Sequence, residues 1–256
     1  MKRIALITGA TSGIGEATAF LLAKNNFNVI ITGRRGNLLS EVGEKIKSET
    51  NSEVIELCFD IRKHSEVIRA LDTIPDDWKK IDVLVNNAGL AAGLDHINEG
   101  SLEDWEQMID TNIKGLIYIS REISGWMIKQ GSGHIVNIGS IAGKEVYEKG
   151  NVYCATKFAV DALSRGMRID LVQHHIKVTC IAPGMVETEF SMVRFKGDKK
   201  RAEKVYEGLT PLHASDIAEA ILFAVTRPPH VTINEMLIMP TAQASATIVN
   251  RKTTDT

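Results

Sequence analysis

The chain has 256 residues, of which 44% are hydrophobic and 24% charged, with 30 basic against 32 acidic side chains and a formal net charge of −2. That balance excludes a disordered chain and a nucleic-acid-binding surface, leaving a small molecule or another copy of the chain as the expected partner. The length accommodates one large α/β domain or two small ones, each able to bury a core.

The apolar run that follows Lys2 and Arg3 covers only Ile4, Ala5, Leu6 and Ile7, short of the roughly 7 to 15 residues of a signal-peptide core. No stretch approaches the roughly 18 apolar residues of a membrane span. Cys58, Cys154 and Cys180 are widely spaced and form no CxxC pair, which predicts free thiols in a reducing compartment. A soluble cytoplasmic protein is expected, with no membrane or nucleic-acid partner. The histidines show no metal-ligand spacing, the adjacent His174 and His175 included, so no metal is predicted.

In chain order, short β-branched runs predict strands at 4–8, 29–32, 54–59, 81–85, 134–138, 177–181 and 236–239. Helical periodicity lies between them, as in Ala17, Phe20, Leu21 and Lys24, then Leu38, Val42 and Ile46, then Val67, Ala70 and Leu71. Parallel neighbours need a crossover, and a helix is the natural one, so the alternation predicts a doubly wound α/β fold with helices on both faces of a mainly parallel sheet. No Pro-, Gly- or Ser-rich linker divides the chain. One domain over 1–256 is expected, with 185–208 inserted over the strand ends as a lid.

The segment "ITGATSGIGEATAF" ends the first strand at Thr8 and opens a helix at Glu16. Gly9, Gly13 and Gly15, with Thr11, Ser12 and Ile14 between them, form a GxxxGxG loop in which bare amides approach a phosphate at a helix N-terminus. Taken alone, such glycines also suit a plain strand-to-helix turn. The second strand ends in Gly33, Arg34 and Arg35, where many dinucleotide folds carry an acid for the adenosine ribose hydroxyls. Two guanidinium groups there favour a ribose 2′-phosphate, hence NADP over NAD, the alternative being two solvated arginines. The third strand ends in Asp60 and Ile61, with Asp60 suited to hydrogen bonding with the adenine. The fourth ends in Asn86, Asn87, Ala88 and Gly89, of which the last three suit backbone contact with the adenosine ribose.

Asn112 sits within a helical segment, where a buried Asn is costly unless hydrogen-bonded. The fifth strand ends in Gly139 and Ser140, placing a hydroxyl at the same carboxyl edge as the phosphate loop. In "NVYCATKFAV", Tyr153 and Lys157 lie four apart on one helix face. An ammonium beside a phenol favours phenolate and predicts a tyrosine pKa moved down from about 10. Most such pairs are merely solvated; Ser140, Asn112 and the phosphate loop turn this one toward chemistry.

With these residues assembled, the chain resembles the short-chain dehydrogenase/reductase family along about its whole length. The matching positions are Thr8-Gly9 to Gly13-Ile14-Gly15, Asn86 to Gly89, Asn112, Ser140, Tyr153, Lys157 and Pro183-Gly184. The resemblance implies a single-domain Rossmann fold with strand order 3-2-1-4-5-6-7. It implies Tyr153 as general acid/base and Ser140 as donor to the substrate carbonyl. Lys157 would bind the nicotinamide ribose and tune the tyrosine, and Asn112 would hold a water of the proton relay. Pro183, Gly184, Val186 and Thr188 would close around the nicotinamide carboxamide, and the assembly would be a homotetramer.

Within that family, "TEFSMVRFKGD", "TPLHASDIAEAI" and "NEMLIMPT" are similar to the NADP-dependent 3-hydroxy acid dehydrogenases, which implies serine, allo-threonine or 3-hydroxypropionate as the type of substrate. Arg194 is the first candidate for anchoring the carboxylate and Lys196 the second, both standing in a segment rich in basic residues. A ketoacyl or general carbonyl reductase keeps the chemistry and changes the substrate. An NADP-binding sensor would need the phosphate loop without the proton relay, so the presence of Asn112, Ser140, Tyr153 and Lys157 argues against it.

Overall fold

Strand β1 (Arg3–Ile7) is apolar at every position after Arg3, and Ala5, Leu6 and Ile7 have no exposed surface. Successive strand side chains point to opposite faces, so such a strand has to be covered on both sides. The computed structural model describes residues 2–252. After β1 come α1 (Gly13–Lys24), β2 (Phe27–Gly33), α2 (Gly36–Glu49), β3 (Val54–Cys58), α3 (His64–Asp72), β4 (Val83–Asn86), α4 (Leu102–Ile109), α5 (Leu116–Gln130) and β5 (Gly133–Ile138). The rest of the chain forms α6 (Asn151–Leu171), β6 (Ile176–Pro183), β7 (Val186–Glu187), α7 (Phe190–Arg194), α8 (Lys199–Lys204), β8 (Leu212–His213), α9 (Ala214–Val225) and β9 (Glu235–Ile238).

Seven strands form one sheet in the order β3-β2-β1-β4-β5-β6-β9, every neighbouring pair parallel. This is the doubly wound order expected, with β9 as the seventh strand. On one face Ala5 and Ile7 pack with Leu22 of α1, Val42 and Ile46 of α2, and Ile217 and Ile221 of α9. On the other, Ile4 and Leu6 pack with Val67 of α3, Ile119 and Ile123 of α5, and Leu171 of α6. Each fully buried Leu or Ile contributes roughly 1.5–3 kcal/mol relative to its exposed state. Since these strands all run parallel, the carboxyl ends of β1, β4, β5 and β6 lie at one edge of the sheet.

Three local features depart from the sequence reading. In α1 the buried face is Ala19, Leu22 and Ala23; Phe20 lies on the flank, under the ammonium groups of Lys24 and Lys45 at 4.4 and 5.2 Å. Between α4 and α5 the chain passes through a π-helical turn, Asp110–Gly115, which holds Asn112. After β6, beyond the seven strands predicted, β7 pairs in parallel with β8 as a second, two-stranded sheet. Among the described residues no helix is long and apolar enough to cross a membrane, and all three cysteines are free.

His134, at the start of β5, is 2% exposed. Its Nε2 lies 2.7 Å from the Thr179 hydroxyl, and its pKa is pushed down to about 3 by burial, with Lys177 and Arg3 adding to the effect. The unfolded ring binds its proton near pH 6.5, so between pH 6.5 and about 3 the unfolded chain holds the extra proton and native stability falls as pH falls. At pH 5.5 this loss is about 1.4 kcal/mol, or ~3–6 °C in Tm. We expect wild-type protein to lose that much more Tm than His134→Gln on going from pH 7.5 to 5.5; equal losses in calorimetric melts would rule the histidine out.

Candidate active site

The carboxyl edge of the sheet opens into a cleft of about 850 Å³ that runs from the phosphate loop to α6 and the chain after β6. Gly9 and Gly13 hold φ of +66° and +57°, where glycine carries no steric penalty. A Cβ on Gly9 would also lie 2.9 Å from the Ala88 Cα, so the loop and the turn after β4 pack main chain on main chain. The Thr8 hydroxyl accepts hydrogen bonds from the Asn87 and Ala88 amides at 3.0 Å, and the Asn87 side chain donates to the Thr8 and Gly9 carbonyls at 2.9 and 3.0 Å. Ser12 stands at the N-cap of α1 but accepts no cap bond with its side chain. The first-turn amides therefore remain available to an anion.

Gly9, Thr11, Ser12, Gly13 and Ile14 line the cleft, as do Arg34, Arg35, Asp60, Ile61 and Asn87 to Gly89. Gly15 does not; its Cα faces the Gly9 carbonyl and the Asn87 amide, which leaves no room for a Cβ. Arg35 donates from Nη2 to Thr11 and Ser12 at 2.9 Å and from Nη1 to Glu189 at 2.9 Å. Asp60 is less free than the sequence reading required: Arg62 grips its carboxylate at 2.6–3.0 Å through Nε and Nη2. Burial raises the Asp60 pKa, but the bonds from Arg62 outweigh it and hold the carboxyl below its usual range.

At the other end, α6 brings Tyr153 and Lys157 into the cleft, 8% and 7% exposed. Lys157 Nζ donates to the Ile138 carbonyl at 2.9 Å and lies 5.9 Å from the Tyr153 ring centre. Ser140 caps the short turn Ile141–Gly143, accepting from the Ala142 amide at 3.1 Å, and its hydroxyl faces the phenol side of the cleft. The expected downward shift of the tyrosine does not occur. Burial pushes the Tyr153 phenol up, with Tyr147 adding to the rise, and the opposing pull of Ser140 and Arg194 is too weak to reverse it. Burial also pulls Lys157 down to about 8. Desolvation penalises both charged forms at once, which helical spacing alone does not report.

Asn112 does not line the cleft. Its side chain donates to the Leu90 carbonyl (2.8 Å) and the Thr156 hydroxyl (3.0 Å) and accepts from the Leu90 amide (2.9 Å). Both amide protons are taken, so this residue braces the turn after β4 against α6. For the expected water contact the side chain retains one oxygen lone pair.

Pro183, Gly184, Val186, Thr188 and Arg194 line the remaining wall. The Arg194 guanidinium carbon lies 5.5 Å from the Tyr147 ring centre and 5.6 Å from that of Tyr153. Nε donates to the Gly93 carbonyl at 3.3 Å, while Nη2 is buried with no hydrogen-bond partner among the described residues. Lys196 turns away and pairs with Asp104 at 2.9 Å. Lys199, Lys200 and Arg201 are exposed, so the basic character of this segment faces outward and Phe190, Val193, Phe195 and Val205 face the cleft.

Sequence reasoning missed Tyr147, which no spacing marked, and the chain after β9. There the Gln243 side chain accepts from the Met185 amide at 2.8 Å and Arg251 reaches the Val205 and Glu207 carbonyls. Gln243 and Arg251 both line the cleft.

Residues 3–199 match the family described as short chain dehydrogenase. The chain is 46% identical over 244 residues to the NADP-dependent 3-hydroxy acid dehydrogenase YdfG of Salmonella typhi, covering 95% of this chain and 97% of that one. It is 40% identical over 248 residues to the NADP-dependent 3-hydroxy acid dehydrogenase of Schizosaccharomyces pombe, covering 96% of each. Among solved structures, the closed form of a serine dehydrogenase complexed with NADP+ matches with a TM-score of 0.90 and 43% identity, covering 98% of this chain and all of that one.

Proposed function

The chain belongs to the short-chain dehydrogenase family, and we propose that within it the protein is an NADP-dependent oxidoreductase acting on the CH–OH group of a short 3-hydroxy acid. The donor set fits that cofactor: bare amides at a glycine-rich helix N-terminus, two guanidinium groups where an acid would select NAD, and Lys157 deeper in the cleft. Gly9, Thr11 to Ile14, Arg34, Arg35 and Asn87 to Gly89 would hold its adenosine and phosphate end, with Asp60 and Ile61 beside the adenine, while Gly15 shapes the loop from behind. Lys157, Pro183, Gly184, Val186 and Thr188 would hold its nicotinamide end. NADP, when bound, supplies or accepts the hydride at the carbon that is reduced or oxidised.

Tyr153 donates its proton to the carbonyl oxygen in reduction and takes it from the hydroxyl in oxidation. Its raised pKa keeps the phenol protonated at neutral pH, the form an acid needs. Ser140 shares the same oxygen and stabilises the charge developing there. Lys157 carries its charge below about pH 8 and stabilises the phenolate as it forms. Asn112 keeps α6 and the turn after β4 in register, which fixes the acid against the cleft wall.

The substrate class rests on one observation: a buried guanidinium nitrogen of Arg194 without a partner, on a side chain packed against the ring of the acid itself. A buried unpaired donor is costly, and a substrate carboxylate satisfies it with a charge-assisted bond. We propose the segment 185–208 as the lid that carries this anchor. The relatives named for 3-hydroxy acids and serine support the same reading. The apolar face of Phe190, Val193, Phe195 and Val205 favours a second reading, a ketoacyl or general carbonyl reductase. NADP reduction with L-serine, D-serine, L-allo-threonine, 3-hydroxypropionate and 3-hydroxyisobutyrate, run beside NADPH oxidation with acetoacetyl esters, separates the two. A homotetramer is supported by Ile117 and Ile128 on α5 and by Phe158 and Ile169 on α6, all apolar and exposed; sedimentation of a monomer would overturn it.

Tyr153→Phe is expected to bind NADP+ normally and to lose at least about a hundredfold in turnover; near-normal turnover would remove Tyr153 from the proton path. Arg194→Ala is expected to raise the KM for the preferred 3-hydroxy acid at least about tenfold while leaving that for the corresponding methyl ester within about twofold. Equal changes for acid and ester would place the carboxylate elsewhere.

A further inference from the structure

We infer that Glu189 is a built-in competitor for the cofactor's phosphate: its carboxylate pairs with Arg35, and NADP has to take that guanidinium from it. The inference rests on the NADP reading above. Glu189 Oε2 accepts from Arg35 Nη1 at 2.9 Å, while the other side of the guanidinium binds the hydroxyls of Thr11 and Ser12 in the phosphate loop. The Ser12 hydroxyl and Arg35 together hold the Glu189 carboxyl below its usual range against the effect of burial. Glu189 is thus an ionised carboxylate placed among hydroxyl and guanidinium donors that suit an anion.

Its position in the chain makes the contact consequential. Glu189 follows Thr188, whose side chain sits over Gly13, so that a Cβ on Gly13 would lie 3.2 Å from it. The start of the segment after β6 is therefore seated on the phosphate loop by packing at Thr188 and by charge at Glu189. A ribose 2′-phosphate carries more charge and more acceptor oxygens than one carboxylate, and guanidinium binds it bidentately. Transfer of Arg35 from carboxylate to phosphate frees Glu189 and leaves like charges facing each other, which favours movement of the segment it begins. NAD lacks the 2′-phosphate and has less to offer Arg35, so the competition discriminates between the two cofactors.

Titration calorimetry of NADP+ and NAD+ against wild type, Glu189→Gln, Arg35→Ala and the double variant tests this. The Arg35 and Glu189 side chains are 45% and 52% exposed, so the substitutions leave the core intact and the pair is worth little in water. Glu189→Gln is expected to tighten NADP+ binding about fivefold and NAD+ binding less than about twofold, with no tightening of NADP+ in the Arg35→Ala background. Unchanged or weaker NADP+ binding by Glu189→Gln overturns the inference, as does equal tightening for NAD+ or in the Arg35→Ala background. Wild-type protein that preferred NAD+ would instead overturn the cofactor reading beneath it.

Discussion

The cleft depends on how two adjacent strands are tied where they end. The Thr8 hydroxyl takes the first two amides of the turn after β4, those of Asn87 and Ala88, and the Asn87 side chain returns two bonds to the Thr8 and Gly9 carbonyls. Together they close the polar groups that a sheet edge would otherwise leave to water. The reciprocal arrangement presses Gly9 against Ala88, and beyond it α1 starts with no side-chain cap on its first amides. From the same turn, Leu90 reaches Asn112 and through it Thr156 on α6. One chain of hydrogen bonds thus connects the phosphate loop to the helix of Tyr153, and the two ends of the cleft are positioned by a single piece of main chain.

Electrostatics at the α6 end are governed by desolvation more than by pairing. A phenol and an ammonium four residues apart suggest mutual stabilisation as ions, yet burial works against both charges. The Tyr153 phenol stands beside two basic side chains, Lys157 and Arg194, each with its head group within 6 Å of the ring centre. Such an environment becomes favourable when negative charge arrives, either on the reacting oxygen or on the substrate carboxylate. Positive charge held in place beside a reacting oxygen lowers a barrier with little reorganisation.

Much of this was legible in the sequence because the informative residues are close together along the chain. The glycine loop after Thr8, the arginines after Gly33 and the Tyr153–Lys157 spacing are local patterns whose alternatives narrow once they occur together, and the strand order followed from the family resemblance that they carry. What escaped depends on where individual side chains point and, more often, on contacts between distant segments. Capture of Asp60 by Arg62 requires knowing a rotamer. The pairing of Arg35 with Glu189 joins residues more than a hundred positions apart, and the role of Tyr147 appears only when Arg194 is brought over it from another element. That 185–208 is rich in basic residues is plain from the sequence, but that those of 196–204 face water and not the cleft is not, since composition says nothing of direction.

The position of β1 inside the sheet, between β2 and β4, has a consequence for how the molecule is made. Its neighbours β2 and β4, and then β3 and β5, emerge from a ribosome after it, so each new strand can dock on an edge already in place, without threading between two others. The last pieces to arrive behave differently. Gln243 and Arg251 add no strand to the main sheet; they fasten the chain near Met185 and at 205–207 across the cleft. A nascent chain released before these residues would carry a nearly complete Rossmann sheet and an unfinished binding site. Synthesis thus builds the scaffold from the inside outward and adds the final wall of its cleft last.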